Sequence, residues 1–165
     1  MLKKIQGVSS LLSLFVIVLS LCCAANASAQ SRGSMTMGLG GGYATYNKGG
    51  YAGAFFMYSF SRHVRIVPEV GYVFRNEDKS GFIVDVDMHF PASLARGVNV
   101  YPLVGVSFNN WTYEGGGNSA RAGMDFGGGF DINLTSLLKL TLQGKYTWMK
   151  DVGGGYVGLG IGYNF

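Results

Sequence analysis

The most constraining feature of this sequence is a two-residue alternation of apolar and polar side chains, which is clearest from Leu138 to Met149. In that segment the leucines, Tyr146 and Trp148 occupy even-numbered positions, whereas both lysines and the threonines occupy odd-numbered ones. Successive side chains of a strand point to opposite faces, so the segment predicts a strand with one apolar and one polar face. A helix would scatter both kinds of residue around its surface.

Eight runs of this kind can be drawn along the chain, at residues 34–46, 51–60, 64–75, 81–91, 98–111, 121–134, 137–149 and 155–165. Most are as long as the roughly 9–11 residues that a tilted membrane strand requires. Polar, Gly-rich connections alternate with tighter turns, which is typical of an up-and-down arrangement. The sequence therefore predicts an all-β fold, an eight-stranded antiparallel up-and-down transmembrane β-barrel. Because a closed barrel has no free edge, we expect Pro68 and Pro102 to mark β-bulges.

The first residues have the order of a secretory leader. Lys3 and Lys4 precede an apolar run from Leu11 to Cys23, and Ala27-Ser28-Ala29 then offers a small-x-small cleavage site. This order predicts a cleavable signal peptide over residues 1–29 and a barrel domain over residues 30–165. The alternative is an uncleaved anchor, although the run is shorter than the roughly 20 apolar residues of a spanning helix.

Composition narrows the possible functions of the chain. Both cysteines, Cys22 and Cys23, lie in the leader, so the predicted mature chain has no thiol for a disulfide or a metal site. Leu21 precedes the pair where a lipid-attachment signal requires a small residue, which disfavours a lipoprotein. Without the two leader lysines, 11 Lys/Arg face 9 Asp/Glu, so no basic surface for nucleic acid is indicated.

The placement of charge decides which face of the predicted sheet points outward. A soluble barrel of the lipocalin type would hold its apolar side chains inside, whereas a membrane barrel turns them toward lipid. A charge facing lipid near the midplane costs roughly 2–4 kcal/mol, and no run carries a charge in the middle of its apolar face. We therefore expect the charges to fill the narrow lumen as a neutral ion-pair network that plugs it. Its members, five of each sign, are Arg65, Glu69, Arg75, Asp85, Asp87, Arg121, Asp125, Asp131, Lys139 and Lys145.

Two segments carry a resemblance to a known family. Tyr156–Phe165 resembles the closing strand of small outer-membrane barrels of the OmpA/OmpX type, and Val67–Tyr72 is similar to a recurrent piece of the outer membrane protein β-barrel domain. The resemblance implies an outer-membrane location. It also implies that Tyr163 and Phe165 belong to the C-terminal signal read by the barrel-assembly machinery during insertion. Barrels of this kind serve as anchors, adhesins, narrow channels or enzymes, so fold alone does not fix the activity.

No residue pattern indicates catalysis, and we expect no catalytic residue, cofactor or metal site. His89 has no serine beside it, and His63 falls in a predicted turn. Asp85 and Asp87 could form an acid–base pair or a Ca²⁺ site, but pairing with lumen cations accounts for them more simply. The glycines at 153, 155 and 158 match a dinucleotide-binding pattern without its strand–helix context.

These observations favour a non-enzymatic integral outer-membrane barrel with a structural or surface-interaction role and a side-chain-plugged lumen. Its partners would be the lipid of the outer membrane and the assembly machinery, with no nucleic acid, and the sequence points to no particular extracellular ligand. A narrow porin-like channel for small solutes or ions is the alternative. A membrane hydrolase is a third class, for which the sequence offers no His/Ser/Asp group.

Overall fold

The computed structural model describes residues 32–76, 78–115, 117–150 and 153–165, and the predicted signal peptide lies outside them. In this part of the chain, no helix has the length and hydropathy needed to cross a membrane. The described residues form nine strands, which are β1 Met35–Ala44, β2 Gly49–Ser59, β3 Arg65–Asn76, β4 Lys79–His89, β5 Ala92–Ala95, β6 Val98–Tyr113, β7 Asn118–Asn133, β8 Leu138–Met149 and β9 Gly154–Asn164.

All nine strands belong to one antiparallel sheet that closes on itself. The first and last strands pair from Thr36 to Ala44 and from Tyr156 to Asn164, with Leu39 opposite Ile161 near the centre. Both β4 and the short β5 pair with β6, so these two segments form one strand of the barrel. The predicted eight-stranded up-and-down barrel is confirmed.

The interruption between β4 and β5 coincides with two prolines. Pro91 lies in the gap, and Pro102 lies across from it on β6. Proline has no backbone N–H to donate to a sheet ladder, so pairing is lost locally. Phe90 bridges the gap by donating its N–H to the carbonyl of Pro102 at 3.0 Å, and regular pairing resumes with Ala92 opposite Val100.

The expectation that Pro68 and Pro102 mark bulges is wrong. The β2–β3 pairing skips Pro68 and the β4/β5–β6 pairing skips Pro102, but the register is the same on both sides of each gap. A proline removes a donor without adding a residue, so the count along the strand does not change. The register shifts occur elsewhere, between Val73 and Asn76 and between Ser93 and Ala95.

The two ends of the barrel differ in their connections. The turn end holds the β2–β3, β5–β6 and β7–β8 turns, together with Met35 and Asn164 at the outer limits of β1 and β9. Its β5–β6 turn is reduced to two residues, and Gly97 takes a φ of 79°, which glycine adopts without strain. The opposite loop end holds the other four connections. There β6 and β7 pair as far as Thr112 and Asn118, so both strands extend beyond the predicted runs 98–111 and 121–134.

Burial alternates along the strands, but the apolar side chains are exposed and the charged ones are buried. Leu159 and Ile161 on β9 are each 56% exposed, whereas Lys145 is 8% exposed and Asp131 is fully buried. Apolar side chains therefore cover the outside of the barrel and ionic ones fill its inside, which is the arrangement of a barrel embedded in lipid. A soluble barrel of the lipocalin type would show the opposite pattern.

Candidate functional site: the barrel lumen

The lumen gathers eight of the ten charged residues that the sequence placed there. All eight are buried, and they are Arg65, Glu69, Asp85, Asp87, Asp125, Asp131, Lys139 and Lys145. Each occupies the inward phase of its strand, which the alternation imposes on every second residue. They form two layers along the barrel axis, an acidic layer around Lys145 and a second layer around Arg65.

The acidic layer is organised by the ammonium group of Lys145 on β8. Its Nζ lies 2.5 Å from a carboxylate oxygen of Asp85, 3.0 Å from Asp87 and 3.4 Å from Glu69. In the closed sheet, three strands separate β8 from β3 in either direction, so the contact with Glu69 spans the full width of the lumen. The lysine thus connects opposite walls.

Neutral donors complete the acidic layer. The hydroxyl of Tyr51 donates to Glu69 at 2.5 Å, and that of Thr147 donates to Asp125 at 2.5 Å. The hydroxyl of Ser107 donates to Asp85. Hydrogen bonds to an ionised carboxylate stabilise the charged form, which reduces the cost of burying it.

The second layer, nearer the turn end, is built around Arg65 on β3. Its guanidinium forms an ion pair with Asp131 on β7, and both side chains are fully buried. The same guanidinium donates through Nε to Nδ1 of His89 at 3.2 Å and lies 4.5 Å from the ring centroid of Tyr101. Thr141 donates its hydroxyl to Asp131 at 2.9 Å.

His89 has a structural position in this layer. Its ring stacks on Tyr101 with centroids 4.4 Å apart and an angle of 8° between the planes. Because Nδ1 accepts from Arg65, the ring is in the neutral tautomer that carries its proton on Nε2. The side chain is fully buried, so a substrate has no direct approach to it.

Lys139, the second residue of β8, lies near the turn end. Its Nζ is 3.4 Å from the hydroxyl oxygen of Thr36 on β1, and its side chain is almost completely buried. Thr36 in turn donates to the side-chain oxygen of Asn164 at 2.7 Å. These contacts join β8, β1 and β9 at the point where the sheet closes.

The structure places Arg75 and Arg121 outside both layers. Arg75 lies at the loop end, 3.8 Å from Glu114, with more than half of each side chain exposed. Arg121 donates to the backbone carbonyl of Lys150 at 2.9 Å and to the hydroxyl of Ser119 at 3.2 Å. At the loop end the two guanidinium groups are accessible to water, so they do not need a buried partner.

This placement corrects the predicted charge balance. Five cations less Arg75 and Arg121 leave three inside the barrel, against all five carboxylates. Among the described residues, Asp87 Oδ1 and Asp125 Oδ2 are buried without a hydrogen-bond partner. The described residues include no group of three or more His, Cys, Asp or Glu side chains arranged to hold a metal ion. The inside of the barrel is therefore acidic rather than neutral.

Sequence reasoning missed the inward-facing aromatic and apolar residues. Toward the loop end a buried cluster covers the acidic layer, and its members are Ala44, Tyr46, Tyr51, Val73, Ile83, Trp111, Met149 and Tyr156. Tyr46 and Trp111 contact each other with ring centroids 5.3 Å apart. The alternation could have predicted that Trp111 points inward, because it shares the alternate, inward-facing positions of β6 with Asn99 and Ser107.

A small cavity lies beside the acidic layer. A cavity of about 20 Å³ is lined by residues that include Glu69, Gln143 and Phe55. Such a volume suffices for about one water molecule. Ionic, aromatic and apolar side chains all point into the lumen in the part of the chain that the structure describes.

Comparisons with known proteins agree with this architecture. A family model described as the outer membrane protein beta-barrel domain matches residues 14–165. No curated protein matches the sequence. The N-terminal β-barrel domain of OprF from Pseudomonas aeruginosa is similar, with a TM-score of 0.72, 18% identity, and coverage of 82% of this chain and 100% of that one.

Two further solved structures show the same likeness. Ail, the attachment invasion locus protein of Yersinia pestis, has a TM-score of 0.63 and 17% identity, covering 81% of this chain and 99% of that chain. Neisserial surface protein A has a TM-score of 0.66 and 16% identity, covering 80% of this chain and 96% of that chain. At these identities the likeness shows the fold alone.

Proposed function

Because the chain belongs to the outer membrane protein β-barrel domain family and resides in the outer membrane, we propose that it is a non-enzymatic barrel whose lumen is plugged by its own side chains. Its role is structural or lies in interactions at the cell surface. The chain needs no cofactor for such a role, and its immediate partner is the lipid around the barrel.

The single observation that carries this proposal is the contact between opposite walls. Lys145 on β8 reaches Glu69 on β3 across the lumen and also binds Asp85 and Asp87 on β4. A solute moving along the axis would have to separate these groups. Breaking a buried ion pair leaves uncompensated charge in a low-dielectric interior, which costs roughly 3–5 kcal/mol.

A surface-interaction role is supported by the loop end and by the similar structures. The hairpin of β6 and β7 is the longest in the barrel, and its tip carries the exposed Tyr113 and Glu114. One similar protein is named as a surface protein and another as an attachment invasion locus protein. Interaction through an exposed hairpin needs neither an open pore nor catalytic groups.

Insertion into the membrane depends in this proposal on the last strand. Tyr163 and Phe165 are exposed on the outside of the barrel, 46% and 71%, and their rings pack edge to face with centroids 5.2 Å apart. An exposed terminal aromatic pair is accessible to the barrel-assembly machinery before the sheet closes. Replacing Phe165 by Gln should reduce the amount of barrel that reaches the outer membrane, with the exposed Phe60→Gln as the matched control.

The decisive test of the plugged lumen is conductance in planar bilayers. We expect the purified protein to give no defined steps, because the acidic layer, the Arg65 layer and the apolar cluster occupy the lumen in succession. Well-resolved steps that are altered by a lumen substitution would contradict the plug.

One observation favours a narrow cation channel as the second candidate. The carboxylates outnumber the cations in the lumen, and Asp87 and Asp125 each present a carboxylate oxygen without a hydrogen-bond partner among the described residues. Such oxygens could bind a hydrated cation that passes between the layers. Steps that favour K⁺ over Cl⁻, and that change in Asp125→Asn but not in the loop-end variant Arg121→Gln, would select this candidate over the plug.

A further inference from the structure

Acidic and basic residues outside the lumen are distributed unequally between the two ends of the barrel. The chain has nine acidic residues, and none lies at the turn end. Five are in the lumen, and the other four, at positions 77, 78, 114 and 151, belong to loop-end connections by their place in the sequence. The turn end nevertheless carries three exposed arginines, Arg32, Arg62 and Arg96. It is therefore cationic, with no carboxylate side chain to neutralise it.

The loop end differs, although it has more cations. Its five basic residues are Lys48, Arg75, Lys79, Arg121 and Lys150, and four acidic residues accompany them. Arg75 lies beside Glu114, with 3.8 Å between their charged groups. The formal surplus is thus one positive charge at the loop end (five less four) and three at the turn end (three less zero).

The turn-end arginines stand where the apolar band of the barrel finishes. Arg62 follows Phe60, which is 51% exposed, by two residues, and Arg96 follows Leu94, which is 63% exposed, by two residues. Arg32 precedes the half-exposed Met35. Residues that flank a lipid-facing band lie at the level of the headgroups, and the aliphatic part of arginine can cover apolar surface while its guanidinium stays in the polar zone.

We propose that Arg32, Arg62 and Arg96 form a collar that binds the phosphate groups of anionic phospholipids in the leaflet around the turn end. The guanidinium fork matches the geometry of phosphate oxygens and donates two parallel hydrogen bonds to them. A zwitterionic lipid offers the same phosphate, but its own ammonium group offsets the attraction. One basic residue near an anionic surface strengthens binding about fivefold at moderate ionic strength.

The experiment reads lipid contact at each end of the barrel separately. A fluorophore is attached to a single cysteine in a background where Cys22 and Cys23 are replaced by Ser, so that no other thiol is present. Ala95→Cys reports on the turn end, because it is exposed and adjacent to Arg96. Gly115→Cys reports on the loop end, where a side chain would meet nothing within 4 Å.

The labelled proteins are reconstituted in phosphatidylcholine vesicles that contain a small amount of spin-labelled phosphatidylglycerol or spin-labelled phosphatidylcholine. At Ala95→Cys, phosphatidylglycerol should quench about fivefold more effectively than phosphatidylcholine, and added salt should weaken this preference. At Gly115→Cys the two lipids should quench almost equally. The triple substitution Arg32→Gln, Arg62→Gln and Arg96→Gln should remove the preference at the turn end.

A matched control removes three charges from the other end, with Lys48→Gln, Arg75→Gln and Lys150→Gln, and should leave the turn-end preference intact. All six arginines and lysines are exposed, so both variants should fold, as heat-modifiable migration will show. If the triple turn-end variant does not fold, single Arg62→Gln and Arg96→Gln variants should each reduce the preference. The proposal is overturned by equal quenching at Ala95→Cys, by a preference that survives the triple substitution, or by arginine-dependent binding to isolated cell-wall polymer without any lipid preference.

Discussion

Removing the charge of Lys145 should destabilise the barrel more than removing any exposed charge. Its ammonium group lies within 3.4 Å of three carboxylates, and its side chain is buried. Lys145→Gln would leave those carboxylates buried without their shared cation. Loss of one partner from a buried ion pair costs about 3–5 kcal/mol, so we expect the free energy of unfolding to fall by about that amount.

The free energy can be measured by urea titration of the protein folded in detergent micelles or thin vesicles. The folded fraction is read from the unboiled band on a gel and from tryptophan fluorescence. Trp148 on the outside of the barrel and Trp111 in the lumen report on lipid contact and on packing, respectively. Coincidence of the two readouts would justify a two-state treatment and linear extrapolation to water.

The matched control is Arg75→Gln, which removes a cation whose partner Glu114 is 3.8 Å away, with more than half of each side chain exposed to water. Exposed pairs contribute about 0–1 kcal/mol, so this variant should unfold near the native midpoint. Adding Asp85→Asn to Lys145→Gln should recover part of the loss, because one buried charge is then absent. If Lys145→Gln costs no more than Arg75→Gln, Lys145 does not connect the two walls energetically and the assignment of the layer is wrong.

Three other results are expected. Gly42→Val should destabilise the barrel by about 1–3 kcal/mol, because its Cβ would meet the backbone of Val157 on β9, whereas Gly115→Val at an open loop should not. Leu159→Arg, in the middle of the lipid-facing band, should cost about 2–4 kcal/mol in vesicles, and Leu94→Arg at the turn end should cost about 0–1 kcal/mol. The extracted protein should migrate differently before and after boiling, and identical migration would contradict a closed barrel.

The number of strands and their inside–outside sense could be predicted because one physical rule controls both. A strand places alternate residues on opposite faces, and lipid accepts only the apolar set. The run from Leu138 to Met149 therefore fixed the direction of Lys139 and Lys145 without any tertiary information. The predicted run 81–91 omits Ala92–Ala95, which continue the fourth barrel strand because the interruption at Pro91 is only local.

Phase alone could not predict how far along the axis each charge lies. Arg75 and Arg121 share the inward phase of their strands, but they occur where the strands extend past the packed interior and reach water. Trp111 shares that phase on β6, but it is buried in the lumen as a member of the apolar cluster. The position of a side chain along the barrel axis depends on strand tilt and on the pairing partner, and neither can be inferred from the sequence of a single strand.

The two charged layers also help to determine the register between neighbouring strands, which the alternation of apolar and polar residues does not fix. A slip of one residue between neighbouring strands would turn every side chain to the wrong face, but a slip of two residues preserves the inside–outside pattern. On β3, Arg65 and Glu69 carry opposite charges four residues apart, and their partners on the far side are Asp131 and Lys145. A two-residue slip of β3 would displace both groups from their partners at once, and it would move one of them halfway toward the level of a like charge. The lumen charges therefore select one register among those that the apolar face permits, which is a reason to retain ionic groups where an apolar filling would also close the barrel.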